Sequence, residues 1–453
     1  MSERLDRSPW RPIHRRIAGA LGIGWALDAF EVQIIGSVIP SIAADFHLDK
    51  TQQIAVFVVW FLGLGIGAAA FGYLADRVGR RRLFVATLLL YSLAALATAA
   101  SPTFTVFMVF RFLTGLGVGG EYSAVSSAIS EFMPARMRGR TNALVMNFWS
   151  LGGIVAGLVS ILFVTALLGA HGWRVALLFG ALSAGYALYA RRLIPESPRW
   201  LASQGRLEEA NAVIEQVTGL PRERVEYLPE ELSSGVGAQL RELWQGYRWR
   251  LIFGMTLDFS EAAGYYGLFS FIPVFVLTRG VVDVSARAVP YYYLIANLGA
   301  LAGGLLVSWT LERAGRKPTV FLSYVAAAGS VFLMAAAAAS GSAGLTLAAF
   351  TVAVFFATTA WVSAYPTFTE LFPTRLRATG VGASVAVGRL GAIVGAVVLA
   401  QMSSVFGLWS AFAALAGLWS IGAVAAGIWW VRGIEARGVS LEVLAPGIAR
   451  SGG

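Results

Sequence analysis

Long apolar runs separated by short polar segments are the dominant pattern along this chain. A run of about 20 mainly apolar residues is long enough to cross a bilayer as an α-helix. The pattern therefore predicts an all-α integral membrane protein with twelve transmembrane helices, called spans 1 to 12 below. Their approximate limits are 17–41, 53–74, 83–100, 104–131, 141–168, 173–193, 249–277, 290–311, 318–340, 344–369, 378–401 and 405–431.

The composition supports this fold class and excludes several kinds of chemistry. Charged residues make up 13% of the 453 residues, whereas a soluble domain has about 25%. The sequence contains no cysteine, which excludes thiol catalysis, disulfides and cysteine-ligated metal. It also contains no GxxxxGK phosphate-binding loop and no histidine cluster. We therefore expect no ATP-driven transport, no metal, no cofactor and no enzymatic activity.

The positions of arginine and lysine predict the orientation in the membrane. They are concentrated in the N-terminal segment and in alternate loops, so the positive-inside rule places both termini and residues 194–248 in the cytoplasm. The net charge of +10 then follows from topology and does not indicate nucleic-acid binding. The basic residues on this side are Arg4, Arg7, Arg11, Arg15, Arg16, Arg77, Arg80, Arg81, Arg82, Arg136, Arg138, Arg140, Arg313, Arg316, Lys317, Arg375 and Arg377.

The long cytoplasmic segment divides the chain into two groups of six spans. We predict an N-terminal bundle at 1–193, an inter-bundle segment at 194–248, a C-terminal bundle at 249–432 and a cytoplasmic tail at 433–453. The inter-bundle segment has apolar residues at helical spacing, which predicts two or three short amphipathic helices.

The two groups of spans carry matching loop sequences, which indicates an internal duplication. "GYLADRVGRRR" (72–82) matches "SWTLERAGRKP" (308–318), and "EFMPARMRGRT" (131–141) matches "ELFPTRLRATG" (370–380). The matches are offset by 236 residues (76 to 312) and 239 residues (131 to 370). Repeated halves around a site near the membrane midplane are typical of secondary transporters. The paired residues are Asp76 with Glu312, Arg80 with Arg316, Glu131 with Glu370 and Arg138 with Arg377.

Three of these motifs carry a resemblance to a known family. "GYLADRVGRRR", "RFLTGLGVGGE" (111–121) and "PESPRWL" (195–201) resemble signatures of the major facilitator superfamily, in its sugar-porter-like branch. The resemblance implies two pseudo-symmetric six-helix bundles that open alternately to either side of the membrane. It also implies gating and conformational roles for Asp76, Arg80, Glu131, Arg138, Glu312, Arg316, Glu370 and Arg377. We expect Asp258 and Glu261 to form gating pairs near the cytoplasmic half, with substrate contact as the alternative.

Within that branch, span 1 resembles the aromatic-acid and niacin proton symporters, and most closely the niacin permease group. The resemblance lies in "GWALDAFEV" (24–32), where Asp28 and Glu31 form an acid-x-x-acid motif. The second acid of this motif is usually aspartate, so Glu31 reaches one methylene further. Sugar porters usually carry glutamines in spans 5 and 7, whereas "NALVMNFWSLGGIVAG" (142–157) and "LDFSEAAGYYGLFSFIP" (257–273) contain none.

Asp28 and Glu31 are expensive to place in a lipid-spanning helix, which favours a functional role. Their spacing puts them one turn apart, on a face that we expect them to share with Trp25. The resemblance implies that Glu31 pairs with Arg111 of span 4. Our hypothesis is that protonation of Glu31 releases Arg111 and permits the conformational switch, whereas a purely structural ion pair is the alternative. Glu121 is a further candidate proton site or gate.

Arg389 lies deep in span 11, where a guanidinium requires an anionic partner. Related organic-anion carriers also use an arginine in this helix, so we expect Arg389 to bind a substrate carboxylate. Pairing with Asp258 or Glu261 is the alternative. Aromatic and amide side chains at helical spacing predict a pocket for a flat aromatic acid, although packing alone would also account for them. These candidates are Trp25, Asn147, Trp149, Tyr265, Tyr266, Tyr293, Asn297, Trp361 and Tyr365.

The sequence therefore predicts a proton-coupled importer of a small aromatic monocarboxylate, with niacin favoured over benzoate or hydroxybenzoate. Cotransport of a proton suits an anion importer, because a negative interior opposes entry of the anion alone. We expect a monomer in the cell inner membrane, with the substrate, protons and lipid as its partners. A sugar or polyol porter, a drug or metabolite exporter and a non-transporting receptor of the same fold remain alternatives.

Overall fold

The computed structural model describes residues 5, 8–78, 80–220, 236–277, 281–372 and 376–434, and these residues contain helices but no strand. The all-helical fold class is confirmed. Spans 1 to 5 correspond to α1 to α5, span 6 to α6 and α7 together, and spans 7 to 12 to α10 to α15. The helices are α1 (Pro12–Phe46), α2 (Lys50–Val78), α3 (Arg80–Ala99), α4 (Phe104–Phe132), α5 (Ala135–Ser160), α6 (Gly172–Leu178), α7 (Leu182–Leu193), α8 (Pro198–Ser203), α9 (Leu207–Thr218), α10 (Val236–Phe271), α11 (Val289–Arg313), α12 (Arg316–Ala339), α13 (Ala343–Glu370), α14 (Arg377–Phe406) and α15 (Leu408–Arg432).

Among the described residues, nine helices are long and apolar enough to cross a membrane, and two shorter apolar helices accompany them. Equivalent spans also begin in the same way in both halves. The Thr103 hydroxyl accepts a hydrogen bond from the Val106 amide at the start of α4. The Ser342 hydroxyl accepts one from the Leu345 amide at the start of α13. Both side chains satisfy an amide that the first helical turn leaves without a partner, and they lie 239 residues apart (103 to 342).

The packing of helices repeats between the two halves. Helix α1 packs on α5 as α10 packs on α14, and α2 packs on α4 as α11 packs on α13. Likewise, α3 packs on α6 and α7 as α12 packs on α15. The halves meet through α5 against α11 and through α2 against α14. This repetition of contacts is the pseudo-twofold arrangement that the internal duplication predicts.

Three spans depart from the straight helices that the sequence predicts. Span 5 ends in a π-helical segment at Ile161–Leu167, and span 6 is interrupted by a 3₁₀ turn at Phe179–Ala181. Span 7 begins within the predicted cytoplasmic segment, because α10 runs from Val236 through a kink at Tyr247. It ends in a π-helical turn at Ile272–Val276, where Pro273 has no amide hydrogen for an ordinary helical bond. Hydropathy detects the apolar length of a span but does not detect such local changes in hydrogen bonding.

The inter-bundle segment contains the short helices α8 and α9. Arg206 begins α9 with a two-pronged ion pair to Glu209, at 2.7 and 2.6 Å, and this bonding lowers the pKa of the Glu209 carboxyl. The Arg11 guanidinium donates to the Gln216 carbonyl at 3.1 Å and so ties the start of α1 to α9. Residues 221–235 lie outside the described part of the chain. The predicted domain limits at 193, 248 and 432 stay predictions.

Candidate functional site

Glu31 and Arg111 form an ion pair inside the N-terminal half. Glu31 Oε1 accepts a hydrogen bond from Arg111 Nη1 at 2.6 Å, and the two side chains are 0% and 2% exposed. Glu31 Oε2 lies against Gly180, where a larger residue would meet it. The contact that the family resemblance implies between span 1 and span 4 is therefore present. Removing one partner of such a buried pair leaves an uncompensated charge, which costs about 3–5 kcal/mol.

Trp25 does not share the face of Glu31, which corrects the expectation from spacing. A helix turns about 100° per residue, so two successive steps of three residues place Trp25 about 120° from Glu31. Glu31 faces Arg111 within the N-terminal half, whereas Trp25 faces Trp149 and Trp361 at the centre. Trp25 thus lies at the central site and Glu31 in the bundle interior, and Asp28, between them in sequence, is fully buried.

Rings from both halves form a cluster at the centre of the molecule. Trp149 lies 5.5 Å from Trp25 and 5.4 Å from Trp361 between ring centroids. Trp25 and Trp361 are stacked at 6.4 Å. The Trp149 indole N–H donates to the Tyr265 hydroxyl at 3.1 Å, across the boundary between the halves. We call Trp25, Trp149, Tyr265 and Trp361 the aromatic cluster; its position and flat surfaces suit a planar ligand.

Arg389 lies beside this cluster and is 2% exposed. Its Nη1 donates to the Tyr266 hydroxyl at 3.2 Å, and its Nη2 donates to the Tyr365 hydroxyl at 3.4 Å. Its Cζ also lies 5.6 Å from the centre of the Tyr266 ring. Tyr365 is in turn 6.3 Å from Trp361. A buried cation with a planar fork therefore stands next to a group of rings, an arrangement that fits the carboxylate and the ring of an aromatic acid.

Close approach of α14 to α10 brings Arg389 to this position. Gly391 and Gly395 lie directly on the carbonyls of Phe259 and Ala263, where a Cβ atom would overlap the backbone oxygens. Small residues of this kind let two helices in lipid pack at backbone contact.

Asp258 and Glu261 lie beside Arg389, whereas the sequence predicted gating pairs in the cytoplasmic half. They are 1% and 3% exposed, and the charge of Arg389 acts on both. Asp258 Oδ2 lies against Gly388, where any side chain would displace it. The predicted gating role and its alternative, substrate contact, both stay predictions. Their burial favours a place in the central site.

The amide candidates form contacts between the halves. Asn297 Nδ2 donates to the Gln33 side-chain oxygen at 2.7 Å and to the Tyr293 carbonyl at 2.9 Å. Asn147 Nδ2 donates to Ser308 Oγ at 3.3 Å. Sequence reasoning missed Gln33 and Ser308, although a glutamine in the same apolar span as the two acids was a usable signal. The Tyr293 hydroxyl donates to the Phe269 carbonyl at 2.5 Å, so it ties α11 to α10.

The predicted gating residues are only partly described. Arg316 makes a two-pronged ion pair with Glu370, at 3.1 and 3.0 Å, which joins the start of α12 to the end of α13. Glu196 of "PESPRWL" accepts from the Arg81 amide at 3.2 Å, near the N-terminus of α3, where the helix dipole favours an acid. The side chains of Asp76, Arg80, Glu121, Glu131, Arg138, Glu312 and Arg377 lie outside the described part of the structure.

Two repeated halves around an aromatic and charged centre are the arrangement of many secondary transporters. The family model described as "Sugar (and other) transporter" matches residues 22–445. The chain belongs to this family, within the major facilitator superfamily; it is a multi-pass integral membrane protein and not an enzyme.

Two curated relatives and one solved structure place the chain more closely. It is 32% identical to the niacin transporter NiaP of Acinetobacter baylyi, over 88% of this chain and 89% of the relative. It is 30% identical to a putative niacin/nicotinamide transporter of Bacillus subtilis, over 86% and 89%. The xylose transporter XylE of E. coli, in a partially occluded inward-open conformation, superposes with a TM-score of 0.74 at 18% identity, over 95% of this chain and 100% of that one. The structural likeness shows the fold alone.

Proposed function

We propose that this protein is a proton-coupled importer of a small aromatic monocarboxylate, with niacin as the preferred substrate. One observation carries the proposal: Arg389 lies beside the aromatic cluster, buried where the two halves meet. The guanidinium binds the carboxylate and the rings hold the heterocycle. The similarity to two niacin-transporter relatives, named above, supports the choice of ring.

Glu31 and Arg111 couple proton binding to the conformational change by which the site opens to one side of the membrane or the other. When Glu31 is ionised, its bond to Arg111 joins α1 to α4. Protonation removes the charge on Glu31 and weakens a bond that is strong because both partners are charged. The released helices then change position and the site opens to the other face. We further propose that the protein works as a monomer in the cell inner membrane, with both termini in the cytoplasm.

Uptake into proteoliposomes tests the substrate and the driving force together. Labelled niacin, benzoate, glucose and xylose are each offered with and without an inward proton gradient. We expect concentrative uptake of niacin only with the gradient, weaker uptake of benzoate and none of the sugars. Absence of niacin and benzoate uptake under every gradient contradicts the proposal, and sugar uptake instead supports a sugar porter.

The Glu31→Gln variant tests the coupling. The amide keeps the shape of the acid but does not exchange a proton, so gradient-driven accumulation should be lost. Equilibrative exchange of niacin across the vesicle membrane should continue. Glu209→Gln is the matched control, because Glu209 is exposed on the cytoplasmic helix α9. Accumulation by Glu31→Gln that still follows the proton gradient would exclude Glu31 as the coupling residue.

A further inference from the structure

The acid-x-x-acid motif of span 1 occurs again in span 7. Residues 27–31 read Leu-Asp-Ala-Phe-Glu, and residues 257–261 read Leu-Asp-Phe-Ser-Glu. The two motifs are 230 residues apart (28 to 258) and occupy the first helix of each half. These helices also pack alike, α1 on α5 and α10 on α14. The second acid pair therefore lies in the equivalent helix of the other half, although the spacing of 230 residues is shorter than the 236 to 239 residues between the matching loops.

The two acid pairs differ in their arginine. Glu31 is engaged by Arg111 of α4, within the N-terminal half. At the repeat spacing of 236 to 239 residues, the counterpart of Arg111 falls in 347–350, which reads Leu-Ala-Ala-Phe. The acids of α10 instead face Arg389 of α14. Arg389 therefore faces the second acid pair and is also the residue proposed to bind the substrate carboxylate.

The surroundings of the second pair hold no other cation in the described part of the chain. The titratable groups that face it are Tyr365 of α13, Tyr324 of α12, and Tyr265 and Tyr266 of α10 itself. From α15 the contact is neutral, because Ser260 donates to the Leu418 carbonyl at 2.6 Å. From α2 the neighbouring group is also uncharged: the centroid of the Phe61 ring lies 5.0 Å from the centroid of the Tyr266 ring.

Neither oxygen of Asp258 has a hydrogen bond of normal geometry to the described residues, although Tyr365 faces it. A buried carboxylate with so few donors is poorly solvated when it is ionised. The neutral acid suits this position better, because it needs no compensating charge.

The charge balance at Arg389 links these acids to the substrate. With both acids ionised, the cluster of Arg389, Asp258 and Glu261 carries one net negative charge, and a bound carboxylate would raise it to two. Burying uncompensated charge costs several kcal/mol per ion. With one acid ionised and the other neutral, the cluster without substrate carries no net charge. When the substrate carboxylate binds, uptake of one proton leaves both acids neutral, and Arg389 and the carboxylate balance each other.

We propose that Asp258 and Glu261 form a second proton-binding site, which takes up a proton when the substrate carboxylate binds Arg389. The inference rests on the proposed function, since it assumes an anionic substrate at Arg389. The proton comes from water on the side to which the site is open. Glu31 then couples the proton to the movement of the helices, whereas the second site couples a proton to substrate affinity.

Calorimetry of niacin binding to the purified full-length protein tests this separation. Titrations in buffers of different ionisation enthalpy give the number of protons taken up, and titrations at several pH values give the affinity. Uptake of one proton makes the dissociation constant rise about tenfold per pH unit at high pH. We expect Glu31→Gln to keep this pH dependence. The double variant Asp258→Asn/Glu261→Gln should still bind niacin, with less than about twofold change per pH unit.

Single variants keep the test decisive if the double variant misfolds. A readout that needs no substrate keeps it decisive if the proposed function fails. If the double variant does not fold, the single variants Asp258→Asn and Glu261→Gln replace it in the calorimetric test. Proton uptake equal to that of wild type in both single variants overturns the proposal. Infrared difference spectra between high and low pH report carboxylic-acid C=O bands without substrate. If wild type binds neither niacin nor benzoate, the proposed function fails, and the infrared bands alone decide the second site. A band lost in either single variant supports it, and bands unchanged in both overturn it.

Discussion

At the scale of the residue, the geometry of Arg389 should matter as well as its charge. Its two terminal nitrogens contact different tyrosines, Tyr266 and Tyr365, so the fork is held in a fixed orientation. Lysine at 389 keeps the charge but offers a single ammonium group. We expect Arg389→Lys to weaken niacin binding about tenfold or more, because a charge-assisted hydrogen bond contributes roughly 1.5–3 kcal/mol. Binding is measured by calorimetry. Arg287→Lys, at the exposed end of the protein, is the control; wild-type affinity in Arg389→Lys would contradict the assignment.

Trp361 should contribute through its ring rather than through volume alone. It contacts Trp25, Trp149 and Tyr265 from both halves. We expect Trp361→Ala to weaken niacin binding about fivefold to tenfold and Trp361→Phe to weaken it less, since an aromatic pair contributes roughly 0.5–1.5 kcal/mol beyond its buried area. Trp409→Ala is the control, because Trp409 is 58% exposed on the outer surface of α15. Equal loss in Trp361→Phe and Trp361→Ala would show that the ring face is not used.

At the scale of the element, the contact between α10 and α14 should depend on Gly391. A Cβ atom there overlaps the Phe259 carbonyl, whereas a Cβ atom at Gly417 of α15 meets open space. We expect Gly391→Ala to lower the melting temperature and weaken niacin binding, because it separates Arg389 from α10. Gly417→Ala should leave binding unchanged and stabilise the helix by up to about 1 kcal/mol. Melting temperatures that change alike in both variants would contradict the close packing.

The elements were predictable from the sequence to the extent that they depend on apolar length. The all-helical class follows from hydropathy, and the expected contact of Glu31 with Arg111 follows from the family resemblance. The break in span 6 and the early start of α10 could not be predicted in this way, because local backbone geometry determines both. The position of Asp258 beside Arg389 depends on packing between distant segments. The similar acid motifs of α1 and α10 could have been read from the sequence, but only loop sequences were compared.

At the scale of the whole molecule, duplication supplies a symmetric frame in which the two halves carry different chemistry. Glu31 of α1 meets Arg111 within its own half. The acid pair of α10 meets Arg389 at the centre. Under the two proposals above, similar acid motifs in equivalent helices serve two purposes: one couples the proton to helix movement and the other couples it to substrate affinity.

The orientation of the whole molecule can be tested directly because the natural chain has no cysteine. A single introduced cysteine is then the only thiol that a membrane-impermeant maleimide can label. Ser285 is exposed in the loop between α10 and α11, and Gln204 is exposed between α8 and α9. The positive-inside rule places the first outside and the second in the cytoplasm. We expect Ser285→Cys to be labelled in intact cells and Gln204→Cys only after permeabilisation. The reverse labelling pattern would show that the protein has the opposite orientation in the membrane. The proposed substrate would then reach Arg389 from the opposite side.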